Sequence, residues 1–144
     1  MSKLHPYLFF NRNCEEAFLF YQSVFGGELN VNRYSESPPN DNFPPLSDEQ
    51  KKLIMNVSLP INKDTMLMGS DPHPGMGDVS FGQNFSLCFE ANSREHANEI
   101  YTKLSAGGNP SMPMNDTFWG AYFGMLNDKF GIGWMVSFTP ENAG

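Results

Sequence analysis

The chain carries one pattern twice, and this repeat limits its fold more than any other feature. The stretch Leu8-Phe9-Phe10-Asn11-Arg12-Asn13-Cys14-Glu15-Glu16 recurs in kind as Leu87-Cys88-Phe89-Glu90-Ala91-Asn92-Ser93-Arg94-Glu95. The set Ala17, Phe20, Tyr21 and Val24 recurs as Ala97, Ile100, Tyr101 and Leu104, at the spacing of one helix face. Gly26-Gly27 recurs as Gly107-Gly108, and glycine ends a helix at little conformational cost. Two related halves predict a pseudo-twofold core with a cleft where they meet. The 144 residues fit a single domain: module one over about 1–70, a Gly- and Pro-rich linker over about 71–83, and module two over about 84–138.

Each half reads as β-α-β-β-β. Residues 5–11 form an aromatic and aliphatic strand, and Asn13-Cys14-Glu15-Glu16 has the form of a capping box ahead of the helix. Residues 28–34 alternate as a second strand. The stretch 35–46, with Pro38-Pro39 and Pro44-Pro45, reads as loop. Strands over 54–59 and 65–68 turn at Asn62-Lys63-Asp64. In the second half a strand over 85–90 leads into a helix running to about Ser105, followed by strands over 110–114, 119–126 and 133–138. The fold class is α+β, with two βαβββ modules whose small sheets join into a half-open curved sheet or barrel with the helices outside.

Composition excludes several functions. The net charge is −7 with no local Lys/Arg cluster, so the chain repels phosphate backbones and nucleic acid is not a partner. No apolar run approaches the roughly 20 residues of a membrane span, and residues 1–6 lack the apolar core of a signal peptide. These features predict a cytoplasmic protein with no membrane partner. Cys14 and Cys88 are too few for a disulfide framework. Most of the 13 Phe and 9 Met are expected in the core, and a surplus over core needs can line a pocket for a flat or greasy ligand.

Two signatures carry a family resemblance. The first is Pro6-Tyr7-Leu8-Phe9-Phe10-Asn11, then Cys14-Glu15-Glu16-Ala17, Phe20-Tyr21 and Val24-Phe25-Gly26-Gly27. The second is Met112-Pro113-Met114, then Asp116-Thr117-Phe118-Trp119-Gly120-Ala121-Tyr122-Phe123-Gly124, Asp128-Lys129-Phe130-Gly131 and Trp134-Met135-Val136. Across nearly its whole length the chain resembles the PhnB-like subgroup, also labelled 3-demethylubiquinone methyltransferase-like. That subgroup lies within the vicinal-oxygen-chelate, or glyoxalase/bleomycin-resistance, superfamily. The methyltransferase label finds no support in the residues, because no strand leads into a Gly-rich loop of the kind that cradles a nucleotide cofactor.

The resemblance implies four metal-ligand positions, which here carry His5, Met68, Asn84 and Met135. One imidazole, one amide and two thioethers make a poor site for zinc, nickel or iron. No cofactor is therefore expected, and a divalent metal is only weakly implied. Matching Leu8 to Leu87 and Phe10 to Phe89 turns those residues toward the helices. His5, Tyr7, Phe9 and Asn11 then share the other face, with Asn84, Ser86, Cys88 and Glu90 as counterparts. Candidate ligand-binding residues are His5, Tyr7, Phe9, Met68, Asn84, Cys88, Asp116, Phe118, Trp119 and Met135. Glu90, in an aromatic cleft, is the candidate general base. Trp134 reads as core, Cys88 as buried, His73 as exposed and His96 as a surface residue. The resemblance also implies a homodimer. The reaction stays open between a small-molecule binding protein, a metal-dependent lyase, isomerase or dioxygenase, and a drug-sequestering protein of the bleomycin-resistance kind.

Overall fold

The computed structural model of the protein describes residues 2–39 and 41–140. The chain divides into two compact units, Met1–Ser80 and Phe81–Gly144, and each is one β-α-β-β-β module around a four-stranded mixed sheet. The fold class is α+β, as the repeat predicts.

In the first unit, β1 (Tyr7–Phe9), β2 (Asn30–Arg33), β3 (Ile54–Pro60) and β4 (Met66–Ser70) lie in the order β1-β4-β3-β2. β1 runs parallel to β4 and the other pairs are antiparallel. Helix α1 (Cys14–Phe25) buries Ala17, Phe18, Tyr21 and Val24 against a core with Leu8, Phe10, Val57, Leu59 and Leu67. Phe18, which the repeat does not single out, is fully buried, whereas Phe20 is only half-buried. Phe18 fits because Gly69 lies beneath it, where a Cβ would come within 2.7 Å of the ring. A four-residue helix α2 (Asp48–Lys51) is capped by Ser47, whose hydroxyl accepts from the Gln50 N–H.

The capping box expected at Asn13 does not form, since the Asn13 side chain makes no cap bond. A residue far along the sequence replaces it. Asp71, just past β4, accepts from the Cys14 N–H with Oδ1 and from the Ile54 N–H with Oδ2, both at 3.1 Å. The Tyr34 hydroxyl donates to the Asp71 carbonyl at 2.7 Å. Asp71 is buried, and desolvation pushes its carboxyl above the ordinary value despite the lowering effect of the backbone donors. The expected linker is pinned to this unit as far as Val79. The Asn11 side chain exchanges two hydrogen bonds with the Val79 backbone, and Arg12 pairs with Asp78.

In the second unit, β5 (Leu87–Glu90), β6 (Asn109–Asp116), β7 (Tyr122–Asn127) and β8 (Gly133–Phe138) lie in the order β5-β8-β7-β6. Helix α3 (Arg94–Ser105) packs on β6, β7 and β8 and buries Ala97, Ile100 and Leu104. Ser93 caps it by accepting from the His96 N–H, and His96 Nδ1 accepts in return from the Asn92 N–H. His96 also meets the Phe89 ring edge-on, so it is half-buried rather than a surface residue. Trp134 is core, as expected. Its indole N–H donates to Asp128 Oδ2, while Asp128 Oδ1 accepts from the Phe130 and Ile132 N–H groups. The strand expected over 119–126 begins later, at Tyr122. The Thr117 hydroxyl and the Ala121 backbone bond each other in both directions and close a turn through Phe118, Trp119 and Gly120, where φ is 92°.

Strand register corrects the pairing of the repeats. The turns Ile61–Thr65 and Asp128–Ile132 have the same closing bond, which aligns Met68 with Met135, Gly69 with Val136 and Ser70 with Ser137. Leu8 faces Gly69 across the ladder and Phe89 faces Val136, so Leu8 matches Phe89 rather than Leu87. Tyr7 accordingly matches Cys88, and His5 matches Ser86 rather than Asn84. The slip is two residues, so the side chains of β1 and β5 keep their expected faces.

Candidate functional site

The face of the first sheet turned away from α1 gathers most of the candidates in that unit. Tyr7 and Phe9 are 39% and 51% exposed, with ring centroids 5.1 Å apart. Met68 stands opposite Tyr7 in the ladder, with Ser58 on its other side. Asn56 Nδ2 reaches the Tyr7 hydroxyl at 3.4 Å. His5 sits at the end of this face, where its Nδ1 accepts from the Met66 N–H at 3.0 Å. That bond uses the Nδ1 lone pair and leaves the imidazole proton on Nε2.

Beside this face lies a feature absent from the sequence reading. The loop after β2 borders an open cavity of about 640 Å³, lined by Tyr34, Pro38, Phe43, Pro45, Lys51 and His73 among others. His73, expected to be exposed, is half-buried: it stacks on Phe43 at 4.4 Å and meets the Tyr34 edge at 5.4 Å. Its Nδ1 accepts from the Gly75 N–H. A Cβ on Gly75 would collide with the Phe43 ring at 2.2 Å, so glycine is what lets this stack close. Burial pushes the Tyr34 hydroxyl up, with smaller contributions from Asp71 and from Tyr7. The Tyr34 hydroxyl donates to the carbonyl of Asp71, the residue after Ser70, and Ser70 is the ladder partner of Phe9, so the cavity wall adjoins the open face. Repeated prolines were the available signal, because rigid rings with no N–H build walls without a regular element.

The second unit distributes its candidates differently. Cys88 and Met135 are ladder partners on the face turned away from α3. Cys88 is exposed, contrary to expectation, because β5 is an edge strand; its thiol is raised by partial desolvation and then by Glu90. Glu90 is also exposed, at the end of β5. Asn84 is exposed in the irregular segment before β5. Phe118 and Trp119 are 98% and 59% exposed on the turn, and Trp119 leans on Phe123 at 6.2 Å. The Asp116 carboxylate is engaged by Arg94 at 2.8 Å, which holds it below the usual range. Arg94 in turn lies 3.9 Å over the Tyr122 ring.

A divalent metal does not fit the four positions at which the resemblance implies ligands. They supply one imidazole with a nitrogen already engaged, two thioethers and an exposed amide, and the corrected register replaces that amide by the Ser86 hydroxyl, which is no better a ligand. Among the described residues, no three His, Cys, Asp or Glu side chains gather where they could hold a metal ion.

The sequence model of the family described as 3-demethylubiquinone-9 3-methyltransferase matches residues 2–137. The chain belongs to this family. It is the PhnB-like group to which the signature residues point. Protein YjdN of Escherichia coli (strain K12) is 31% identical over 144 residues, 96% of each chain. The crystal structure of protein PA1353 from Pseudomonas aeruginosa is 35% identical, with a TM-score of 0.81, over 96% of this chain and 98% of that one. The wider superfamily shares the fold. A glyoxalase/bleomycin resistance protein/dioxygenase family enzyme from Burkholderia phytofirmans PsJN superposes with a TM-score of 0.65 at 16% identity, over 96% of this chain and all of that one. No described helix is long and apolar enough to cross a membrane.

Proposed function

We propose that this PhnB-like protein is a cytoplasmic homodimer that binds a small, flat, largely apolar organic molecule through its first unit without a divalent metal. The carrying observation is the cavity of about 640 Å³ walled by the rings of Tyr34, Phe43 and His73 and by proline faces. Its size falls within the roughly 300–1,000 Å³ usual for small-molecule sites. Tyr7 and Phe9 extend the aromatic surface beyond the rim, and Met68 adds a polarizable thioether. Lys51 and Asp41 supply charge of both signs at the lining, enough to orient a polar substituent. Methyl transfer, named in the family's description, has no residue pattern behind it in this chain. The homodimer reading draws on the exposed Phe118 and Trp119 and on the edge strands of both sheets.

Titration with planar dyes of either charge, acridine orange and 1-anilinonaphthalene-8-sulfonate, tests the reading by fluorescence. Saturable binding is expected, weakened about tenfold or more by Phe43→Ala, which corresponds to roughly 1.4 kcal/mol. No saturation with either dye, or affinities untouched by Phe43→Ala and Phe9→Ala, would overturn it. A second reading, sequestration of a cationic drug, is favoured by the net charge of −7. Marked preference for acridine orange would select it. Stoichiometric zinc, nickel or manganese in protein purified without chelator, lost on His5→Ala, would overturn the metal-free part of the proposal.

A further inference from the structure

Ladder register in the second unit places four sulfur side chains in one row. Met112 on β6 faces Met125 on β7, Met125 faces Met135 on β8, and Met135 faces Cys88 on β5. Residues directly opposite one another share a face, with Cβ atoms about 4.5–5.5 Å apart in a regular ladder; β6 is irregular on both sides of Met112, which makes Met112 the outlying member of the row. Burial agrees with this. The neighbours Gly124, Leu126, Trp134 and Val136 are buried on the α3 side, while Met112 and Cys88 are exposed and Met125 and Met135 half-buried. Met114 does not belong to the row, since its sulfur sits over Gly124 beside Tyr101 on the helix side. The equivalent row of the first unit reads Asn30, Ser58, Met68 and Tyr7, with a single thioether.

We propose that Cys88, Met135 and Met125 form a site for a soft monovalent metal, Cu(I) in the first instance, with Met112 as an outer thioether. The thioethers, which suit zinc and nickel poorly, suit a soft ion, because thioethers and thiolates select Cu(I). Cys88 is the anionic anchor: its S–H bond breaks, a sulfur–copper bond forms, and the proton leaves to solvent. Copper stays in the +1 state, so no oxidant or reductant is consumed. The thioethers add neutral donors without protons to displace, and an unbranched methionine side chain reaches toward a neighbour on the adjacent strand. Only Met135 stands at one of the four positions the superfamily resemblance implies. Cys14, the other thiol, is fully buried in the first unit and offers no competing anchor.

Anaerobic titration of the full chain with Cu(I), in competition with bicinchoninate, tests the site. One Cu(I) per chain is expected, and Cys88→Ser should weaken it at least about tenfold. Met135→Leu and Met125→Leu conserve volume and should also weaken it, while Met68→Leu in the first unit should not. Copper-edge absorption of the loaded wild-type protein should show a sulfur-only shell, a readout independent of whether any variant folds. A nitrogen- or oxygen-dominated shell, an affinity unchanged by Cys88→Ser, or failure to compete with bicinchoninate would each overturn the proposal.

Discussion

The two units share a topology and differ in how they fill it. In the first, α1 carries bulky Phe18 and the strand below carries Gly69; in the second, the matching positions are exposed Asn98 on α3 and buried Val136 on β8. The volume has moved from helix to strand. The sheet rows on the other face diverge more, from Asn30, Ser58, Met68 and Tyr7 to Met112, Met125, Met135 and Cys88. A close-packed core accepts a large residue only where a partner is small, so core changes are compensated in pairs. The faces turned from the helices leave Tyr7, Phe9, Cys88 and Met112 exposed, and they are where the halves have become chemically distinct.

The largest contrast should appear between the cysteines. Cys14 is fully buried, and desolvation raises its thiol far more than that of exposed Cys88. A thiol-reactive chromophore under native conditions should modify Cys88 at least about a hundredfold faster than Cys14, read by mass spectrometry of time points. Equal rates would mean that the first unit opens as readily as an edge strand.

The packing exchange can be broken next. Gly69→Val should destabilise the chain by about 3 kcal/mol in urea unfolding, since its Cβ meets both the Phe18 ring and the Leu8 carbonyl, the latter at 2.8 Å. Adding Phe18→Ala should cost less than the sum of the two single changes, with a coupling of about 1 kcal/mol or more. Strict additivity would refute the exchange.

A smaller effect belongs to Asp71, the distant cap that joins α1, β3 and Tyr34. Asp71→Asn leaves one of two backbone donors without an acceptor and should cost about 1–3 kcal/mol. Its pH dependence has a defined sign. The folded carboxyl titrates above the ordinary value of 3.8, so its stabilising contribution is complete below 3.8 and is lost as pH rises through the raised value. The gap between wild type and variant should therefore widen on acidification across that window. A gap that narrows would contradict desolvation as the dominant cause.

Much of this comparison was legible in the sequence. Helix spacing and glycine stops placed α1 and α3, and alternation assigned the sheet faces correctly despite a two-residue slip in matching β1 to β5. The slip was invisible because period-two alternation is unchanged by a shift of two. The Asp71 cap was not legible, since its partners lie 57 and 17 residues away. The cavity was hidden in a Pro-rich stretch without periodicity. The sulfur row needed cross-strand register, which no single segment contains.

The most direct test of the claim that the two open faces have separate chemistries is methyl NMR of protein labelled at the methionine methyl groups, titrated with Cu(I) under anaerobic conditions. The Met125 and Met135 signals, assigned by substitution to leucine, should shift and saturate together at one equivalent, while those of Met66 and Met68 stay in place. Equal shifts at Met68 and Met135, or none at either, would contradict it.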